Sequence, residues 1–400
     1  MKAHNLRAIL LALLNTEYIS RVQLAKLTGL STTTITNLIS ELIEQGIVIE
    51  EGAEKSDLPR SVGRPRTALR LVPKARYAIG IHIGVGNIRV AIADLRANFS
   101  QVHTFAHPLE KSPQDVFRDV SNLVDQVIES SQLDLDQFVG IGVGASGLVD
   151  PSTGVNLIAP NLGWRNVSIQ DLCCPQLGLP ICVDNNVRAM ALGEAMFGDS
   201  RGFQTLAFVY ARIGVGAGFV MDGTLYRGIG AGAGEIGHMT MISEGGDRCR
   251  CGNRGCLETL VSEPVILKQA TEIAKQNPQG ALAKRLQEEK TLSIEQIFEV
   301  ARQGDLAIQA IIDQQARYMG IALANLVNIF NPETIVLGGM FAQGEELFLP
   351  LIETTMQARS FANLGERVQL RTASFGRNAG VVGAAALALN SFFYQQPDSA

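Results

Sequence analysis

No run of apolar residues in this chain approaches the roughly 18 that a membrane-spanning helix needs, so helical insertion into a bilayer is excluded. The first apolar run, Ile9 to Leu14, stops at Asn15, Thr16 and Glu17 and makes no signal-peptide core, so a cytoplasmic address is expected. Charge is scarce at 18% of residues, against 46% hydrophobic, a balance that excludes a disordered chain or a fibrous repeat. Cysteine is scarce as well. Of the 6, Cys173, Cys174 and Cys182 show no disulfide-framework spacing, which agrees with reduced thiols. A length of 400 residues exceeds one core and predicts two or three domains.

What charge there is lies unevenly. Residues 1–76 carry 11 Lys+Arg against 7 Asp+Glu, a balance of +4, whereas the rest of the chain stands at −9. A basic end on an acidic body points to a polyanionic partner at the N-terminus.

That end reads as three short helices. Asn5 to Leu14 forms the first, Ser20 caps a second over Arg21 to Thr28, and Ser31 caps a third reaching about Gln45. In the third, Ile35, Leu38, Ile39, Leu42 and Ile43 recur at three and four and make one buried stripe. Ser31, Thr32, Thr33, Thr34, Thr36 and Asn37 form the polar face. Ala25, Gly29, Ser31 and Ile35 supply the small contact, turn, cap and anchor of a helix-turn-helix. Ile47 to Glu51 and Thr67 to Val72 read as wing strands, joined through Gly63-Arg64-Pro65-Arg66. Ser31, Thr32, Thr33, Thr34 and Asn37 are therefore the candidate DNA contacts of the helix, and Arg64 and Arg66 those of the wing. Three helices packed only for dimerisation would need neither the polar face nor the arginine loop.

The stretch Glu235 to Glu258 places His238, Cys249, Cys251 and Cys256 within 19 residues. One imidazole and three thiolates complete a tetrahedral set for zinc and leave no open position, so a structural site is expected; the histidine favours zinc over iron. A chance cluster in a buried loop is the competing reading, but Gly, Arg, Asn and Asp between the thiols are poor core residues. Glu235 and Glu258 bracket the loop, and carboxylates held rigidly there would accept hydrogen bonds from sugar hydroxyls. His238 could add its second ring nitrogen.

From about Arg76 the texture changes to strands, glycine turns and longer helices. A meander over Tyr77 to Val85, Ile88 to Leu95 and Gln101 to Phe105 is followed by a helix, Pro113 to Ser130, and by strands Phe138 to Val143 and Ile181 to Val183. A second meander begins at Thr205 to Arg212, passes through the glycine-rich run Gly214 to Gly218 and continues at Phe219 to Met221. The repeated pattern predicts two related α/β lobes with a cleft between them. Helices fill much of Pro264 to Asn331, the strand Thr334 to Leu337 ends in Gly338-Gly339, and a small apolar helix, Ala379 to Ser391, closes the chain.

Taken in order, GVGASGLVD, PNLGW, DNNVRAMALGE, GVGAGFVMDGTLYRG, AGAGEIGH, GHM…CRCGNRGCLE and LGGM resemble the ROK family of repressors, open reading frames and kinases. The resemblance covers nearly the whole chain. It implies an α/β protein, an N-terminal winged helix-turn-helix followed by a two-lobed actin-like, sugar-kinase (RNase H-like) ATPase fold. The implied domains are 1–75 for the head, 76–187 plus about 376–392 for the first lobe, and 188–375 for the second lobe with the zinc loop. Carried over by position, the sugar contacts are Gly147, Asn185, Asn186, Glu235, His238 and Glu258, and the zinc ligands are the four residues named above. A nucleotide would set its phosphates against the loops near Gly84 and Gly214 to Gly218, with Gly338-Gly339 toward the base.

Three positions depart from the kinase pattern. His82 stands where the first glycine motif has Asp, Asn186 where the catalytic base has Asp, and Val215 where the second phosphate loop has Thr. An amide cannot take a proton from a hydroxyl, and general-base help is worth roughly 10²–10⁴-fold. The expectation is a sugar-responsive transcriptional regulator, a repressor, with a kinase-like body kept for sensing. A working ATP-dependent sugar kinase with a DNA-binding extension is the alternative. Expected partners are double-stranded operator DNA, a sugar or sugar derivative, and further copies of the chain as a homodimer or higher homo-oligomer. Some family members are also sequestered by a transporter component.

Overall fold

The computed structural model of the protein describes residues 1–53, 67–99 and 101–395. At the N-terminus, α1 (Lys2–Asn15), α2 (Arg21–Thr28) and α3 (Thr32–Glu44) pack around Ile9, Leu13, Leu24, Ile35 and Ile39, all buried. Helix α2 starts in a capping box, with the Gln23 side chain returning to the Ser20 N–H, and ends at Gly29, whose φ of 69° favours glycine. Strand β1 (Ile19–Ser20) pairs with β3 (Thr67–Leu71), and β3 with β2 (Val48–Ala53), which makes the wing. Helix α1 begins three residues before the expected start. Arg64 and Arg66 lie outside the described residues.

The body repeats one topology. In the first lobe β4 (Tyr77–Ile83), β5 (Asn87–Asp94) and β6 (His103–Ala106) form an antiparallel meander, α4 (Pro113–Ser131) crosses over, and β7 (Phe138–Ala145) pairs parallel to β4. A small sheet of β8 (Leu148–Asp150), β9 (Val155–Ala159) and β10 (Trp164–Ser168) and the short α5 (Ile169–Leu172) intervene before β11 (Ile181–Asn185) joins β7 in parallel. That three-stranded sheet has no counterpart in the sequence reading. Helix α6 (Asn186–Phe197) leads to β12 (Thr205–Ala211), β13 (Val215–Met221) and β14 (Thr224–Tyr226), the second meander. After α7 (Glu263–Gln276), α8 (Ala281–Glu289), α9 (Ile294–Arg302) and α10 (Leu306–Phe330), β15 (Thr334–Gly339) pairs parallel to β12. Helices α11 (Met340–Gln343) and α12 (Glu345–Arg359) then lead to β16 (Gln369–Thr372), parallel to β15. Counted from each meander, both five-stranded sheets run third, second, first, fourth, fifth.

The last helix, α13 (Ala379–Leu389), is buried along its whole length and lies with α6 in the body's interior. It packs on β4 and β7 while α6 packs on β12 and β13, so two helices form the layer between the two sheets. Glycines let these layers meet backbone to backbone. A Cβ on Gly142 would stand 1.9 Å from the Ala384 carbonyl oxygen, and one on Gly383 would stand 2.5 Å from the Ala189 carbonyl carbon. The same requirement corrects the reading of Gly214 to Gly218 as a loop. Most of that run is β13, where a Cβ on Gly218 would lie 2.7 Å from the Ala191 Cβ of α6. The glycines there serve packing as well as a turn.

The head meets the body at the turn after β5 and at Asn390–Tyr394 beyond α13, both of which lie against α1. Arg96, after β5, donates to the Leu13 and Thr16 carbonyls at the end of α1 at 3.4 and 3.0 Å, and Tyr394 beyond α13 donates to Leu95 O at 2.5 Å.

Candidate functional site

Strands β4, β7, β11 and β12 end at a cleft of about 540 Å³. Ligands in open α/β sheets sit outside such carboxyl ends. The first lobe contributes His82, Ser146, Gly147 and Asn186; the second contributes Arg212, Glu235, His238 and Glu258.

Asn185 works mainly within the protein. Its Oδ1 accepts the Val187 and Arg188 N–H groups at 2.8 and 3.1 Å, capping α6, and its Nδ2 donates to Gly147 O at 2.8 Å. Gly147 has φ of 108°, and a Cβ there would lie 2.6 Å from Ala159, so no side chain fits beside the cleft at this point. Asn186, the first residue of α6, is 8% exposed and donates from Nδ2 to Ser146 Oγ at 3.3 Å.

Glu258 and Glu235 reach the cleft from either side of the cysteine loop. Glu258 Oε2 accepts the Val215 N–H at 3.1 Å, so one amide of the expected phosphate cradle is already engaged. Glu235 Oε2 lies 4.0 Å from His238 Nε2. Loss of water around Glu235 raises its carboxyl above the usual range, opposed by His238 and Arg188. The other ring nitrogen of His238, Nδ1, faces Cys249 Sγ at 3.6 Å, while Cys251 Sγ lies 3.7 Å from Cys256 Sγ. All four ligand atoms fall within 4.8 Å of one another. Tetrahedral zinc with bonds of ~2.3 Å sets its sulfurs about 3.8 Å apart, so this donor set fits such an ion. Burial, reinforced by hydrogen bonds that its S–H donates to Cys251 and Cys249, pushes the Cys256 thiol up to about 12. Thiolates so crowded repel one another unless a cation sits among them. Gly255 closes the loop, since a Cβ there would stand 2.0 Å from Ile242 O. Arg250 of the loop donates from Nη1 to Asn161 Oδ1 on the facing lobe.

In the head, Ser31 Oγ accepts the Thr34 N–H at 3.1 Å and bonds the Thr34 hydroxyl at 2.9 Å, so both side chains are engaged in capping α3. Thr32, Thr33 and Asn37 stand exposed on the same face, opposite buried Ile35, Leu38, Ile39 and Leu42. The face is continuous and polar, as a groove-reading helix requires.

Residues 78–391 match the ROK family and residues 3–49 match a winged helix-turn-helix DNA-binding family. The chain belongs to the ROK family. This ROK protein is 30% identical to the xylose repressor of Caldicellulosiruptor bescii over 98% of its own length and 96% of that protein. Among solved structures, it superposes with a TM-score of 0.82 on a ROK family transcriptional regulator homologous to the E. coli MLC protein, at 27% identity and with 98% and 97% of the two chains covered. It also matches a ROK family glucokinase from Streptomyces griseus, in complex with glucose and AMPPNP, with a TM-score of 0.69 at 28% identity; 79% of this chain and all of that one are covered. The actin-like, sugar-kinase architecture of the body follows from these two likenesses together with the repeated sheet order. No helix among the described residues is long and apolar enough to cross a membrane.

Sequence reasoning passed over three arginines in the body of this ROK protein. Arg212 lines the cleft directly before the second glycine run, and Arg89 pairs opposite His82 in the β4–β5 ladder. Arg188, inside DNNVRAMALGE, holds Asp184, Val149 O and Ala231 O and so touches both lobes. Each was visible as an arginine in an apolar segment, but only the fold shows what each one faces.

Proposed function

We propose that this ROK protein is a sugar-responsive DNA-binding repressor whose kinase-like body senses a ligand and does not phosphorylate it. The observation that carries the reading is Asn186: it lines the cleft with its amide bonded to Ser146, at the position where the family resemblance would put an Asp base. Relatives named as repressors and a winged helix-turn-helix at the N-terminus support it.

Glu235, Glu258 and His238 Nε2 would accept and donate hydrogen bonds to sugar hydroxyls, Asn186 would add an amide, and Asn185 would hold Gly147 in place beneath the sugar. His238 Nδ1, Cys249, Cys251 and Cys256 would hold zinc. Bound there, zinc supplies structural order, since a filled tetrahedron offers no position for catalysis. The loop it orders carries both carboxylates. Thr32, Thr33 and Asn37 would read bases in the major groove, with Ser31 and Thr34 fixing the helix start and Arg64 and Arg66 meeting phosphates or the minor groove. Arg96, whose turn Tyr394 holds through Leu95 O, would connect the two functions, because movement of the lobes would reach α1 through its bonds to Leu13 and Thr16. A homodimer would present two heads to an inverted repeat.

Selection of duplexes from random DNA, followed by fluorescence anisotropy with and without a panel of sugars, tests the reading. Sequence-specific binding that a sugar weakens is the expected result. Binding without sequence preference, or a complex indifferent to every sugar, would overturn it. A sugar kinase with a DNA-binding extension is the second reading, favoured by 31% identity to a Halalkalibacterium halodurans glucokinase over 77% of the chain. Phosphate transfer to a bound sugar decides between them.

A further inference from the structure

We propose that α13, together with the turn that follows it, carries the state of the cleft to the DNA-binding head by shifting along its own axis. The inference rests on the sensor reading, because it supplies the path by which a ligand between the lobes would act on α1.

The segment that enters α13 is tied to both lobes. The Arg377 carbonyl accepts from Arg89 of β5, and the Arg377 guanidinium pairs with Glu295 of α9 at 2.9 Å. His82, which lines the cleft from β4, lies against the first turn of α13, where a Cβ on Gly380 would stand 2.5 Å from its Cδ2. A change in the angle between the lobes, or in the seat of the His82 ring, therefore meets α13 at its start.

Along its length the helix is smooth. Its sequence, AGVVGAAALAL, holds no side chain larger than leucine, and its neighbours meet it with glycine. A Cβ on Gly80 of β4 would stand 2.5 Å from the Val381 carbonyl oxygen, and one on Gly193 of α6 would stand 3.0 Å from the Gly383 Cα. Interlocked side chains hold a helix in one register, whereas flat backbone faces permit small shear between packed elements. The helix is buried throughout, and a close-packed interior transmits a push at one end to the other.

At the head, α13 runs into a π-helical turn, Asn390–Tyr394, closed by the Gln395 N–H on the Asn390 carbonyl at 2.7 Å. Such turns are rare and recur at functional sites. Returning this one to α geometry would draw in the chain beyond it by about one residue's rise, ~1.5 Å, so the turn is an element with two arrangements. Phe393 and Tyr394 are buried in the same apolar cluster as Leu10, Leu13 and Leu14 of α1. The Tyr394 hydroxyl donates to Leu95 O, and the adjacent Arg96 donates to the Leu13 and Thr16 carbonyls at the end of α1. One buried rod thus begins at a wall of the cleft and ends in the core of the head.

Hydrogen–deuterium exchange on the full-length protein, read by mass spectrometry, tests the path without any ligand. His82→Ala removes the ring that abuts Gly380; it is expected to alter exchange at Asn390–Tyr394 and in α1 and to leave α12 unchanged. Changes that stop at β4 and the first turn of α13 would overturn the proposal, and so would a change that spreads equally over α12. Should His82→Ala fail to fold, as judged by its melting curve, His82→Gln gives the same readout. The second arm measures coupling by fluorescence anisotropy on a selected duplex, with xylose, glucose or N-acetylglucosamine added. For a sugar that weakens the parent complex, Tyr394→Phe should leave the affinities for duplex alone and for sugar alone within about twofold, yet shrink the sugar-induced change in DNA affinity by about fivefold, the worth of one hydrogen bond. A full sugar response in the folded variant overturns the proposal while the sensor reading stands. If none of the three sugars weakens the parent complex, the exchange result alone decides.

Discussion

Asp184 and Arg188, one turn apart across the start of α6, form an ion pair at 2.6 Å with each side chain only 1% exposed. Asp184 also receives Arg227 of the second lobe at 2.8 Å, while Arg188 donates to Val149 O and Ala231 O. A fully bonded buried charge therefore ties the two lobes at the base of the cleft.

Removing one partner of such a pair leaves the other charged and unmet. Arg188→Ala should cost about 3–5 kcal/mol in urea-induced unfolding. A loss under about 1 kcal/mol would mean that Arg227 alone satisfies Asp184.

The cysteine loop should carry close to one zinc per chain by elemental analysis. Cys251→Ala should lose the metal and the sugar response while DNA binding by the head persists, since the metal orders the loop bearing Glu235 and Glu258. Full sugar response in metal-free protein would refute this assignment.

With ATP and magnesium no sugar should be phosphorylated above background, even one that binds. Asn186→Asp alone should restore little, because His82 offers no carboxylate to hold magnesium. Steady turnover by the unmodified protein in a coupled assay would establish the kinase instead.

For DNA, Thr33→Ala or Asn37→Ala should mainly reduce discrimination between selected and random duplexes, by about 1–3 kcal/mol for a lost base contact. Replacing Arg64 and Arg66 together by alanine should weaken all sequences alike and lower the salt slope by up to about 2. Deleting residues 1–72 should abolish binding.

Stability should also depend on His82. Burial, with Arg89 and Arg212 adding, pushes its pKa down from 6.5 to about 4. Between these values the unfolded chain binds the proton and the folded one does not. This contribution is therefore complete above about pH 6.5 and is lost as pH falls toward 4, on the order of 3 kcal/mol. Urea titrations at pH 7 and pH 4.5 should show a smaller acid loss for His82→Gln than for the parent. Equal losses would place the effect on other groups.

Much of this protein was decided locally and could be read from its sequence. Ser31 before a stripe at three and four fixes α3, and four candidate metal ligands within 19 residues need only one loop to converge. Asn185 before Asn186 signals a helix start because capping uses neighbouring groups alone. Other features came from packing between distant segments. The run from Gly214 reads as a loop because glycine frees the backbone, yet most of it is strand, because α6 lies against β13 where a side chain would not fit. Asn185 reads as a ligand contact, and only the fold shows that its amide also caps α6 and holds Gly147 O. His82, Arg89 and Arg212 come from β4, β5 and the turn after β12, and nothing in their local sequence says that the fold brings them near one another. Charge in a chain is additive and visible, whereas whether a charge is paired depends on which segments the fold brings within a few ångströms.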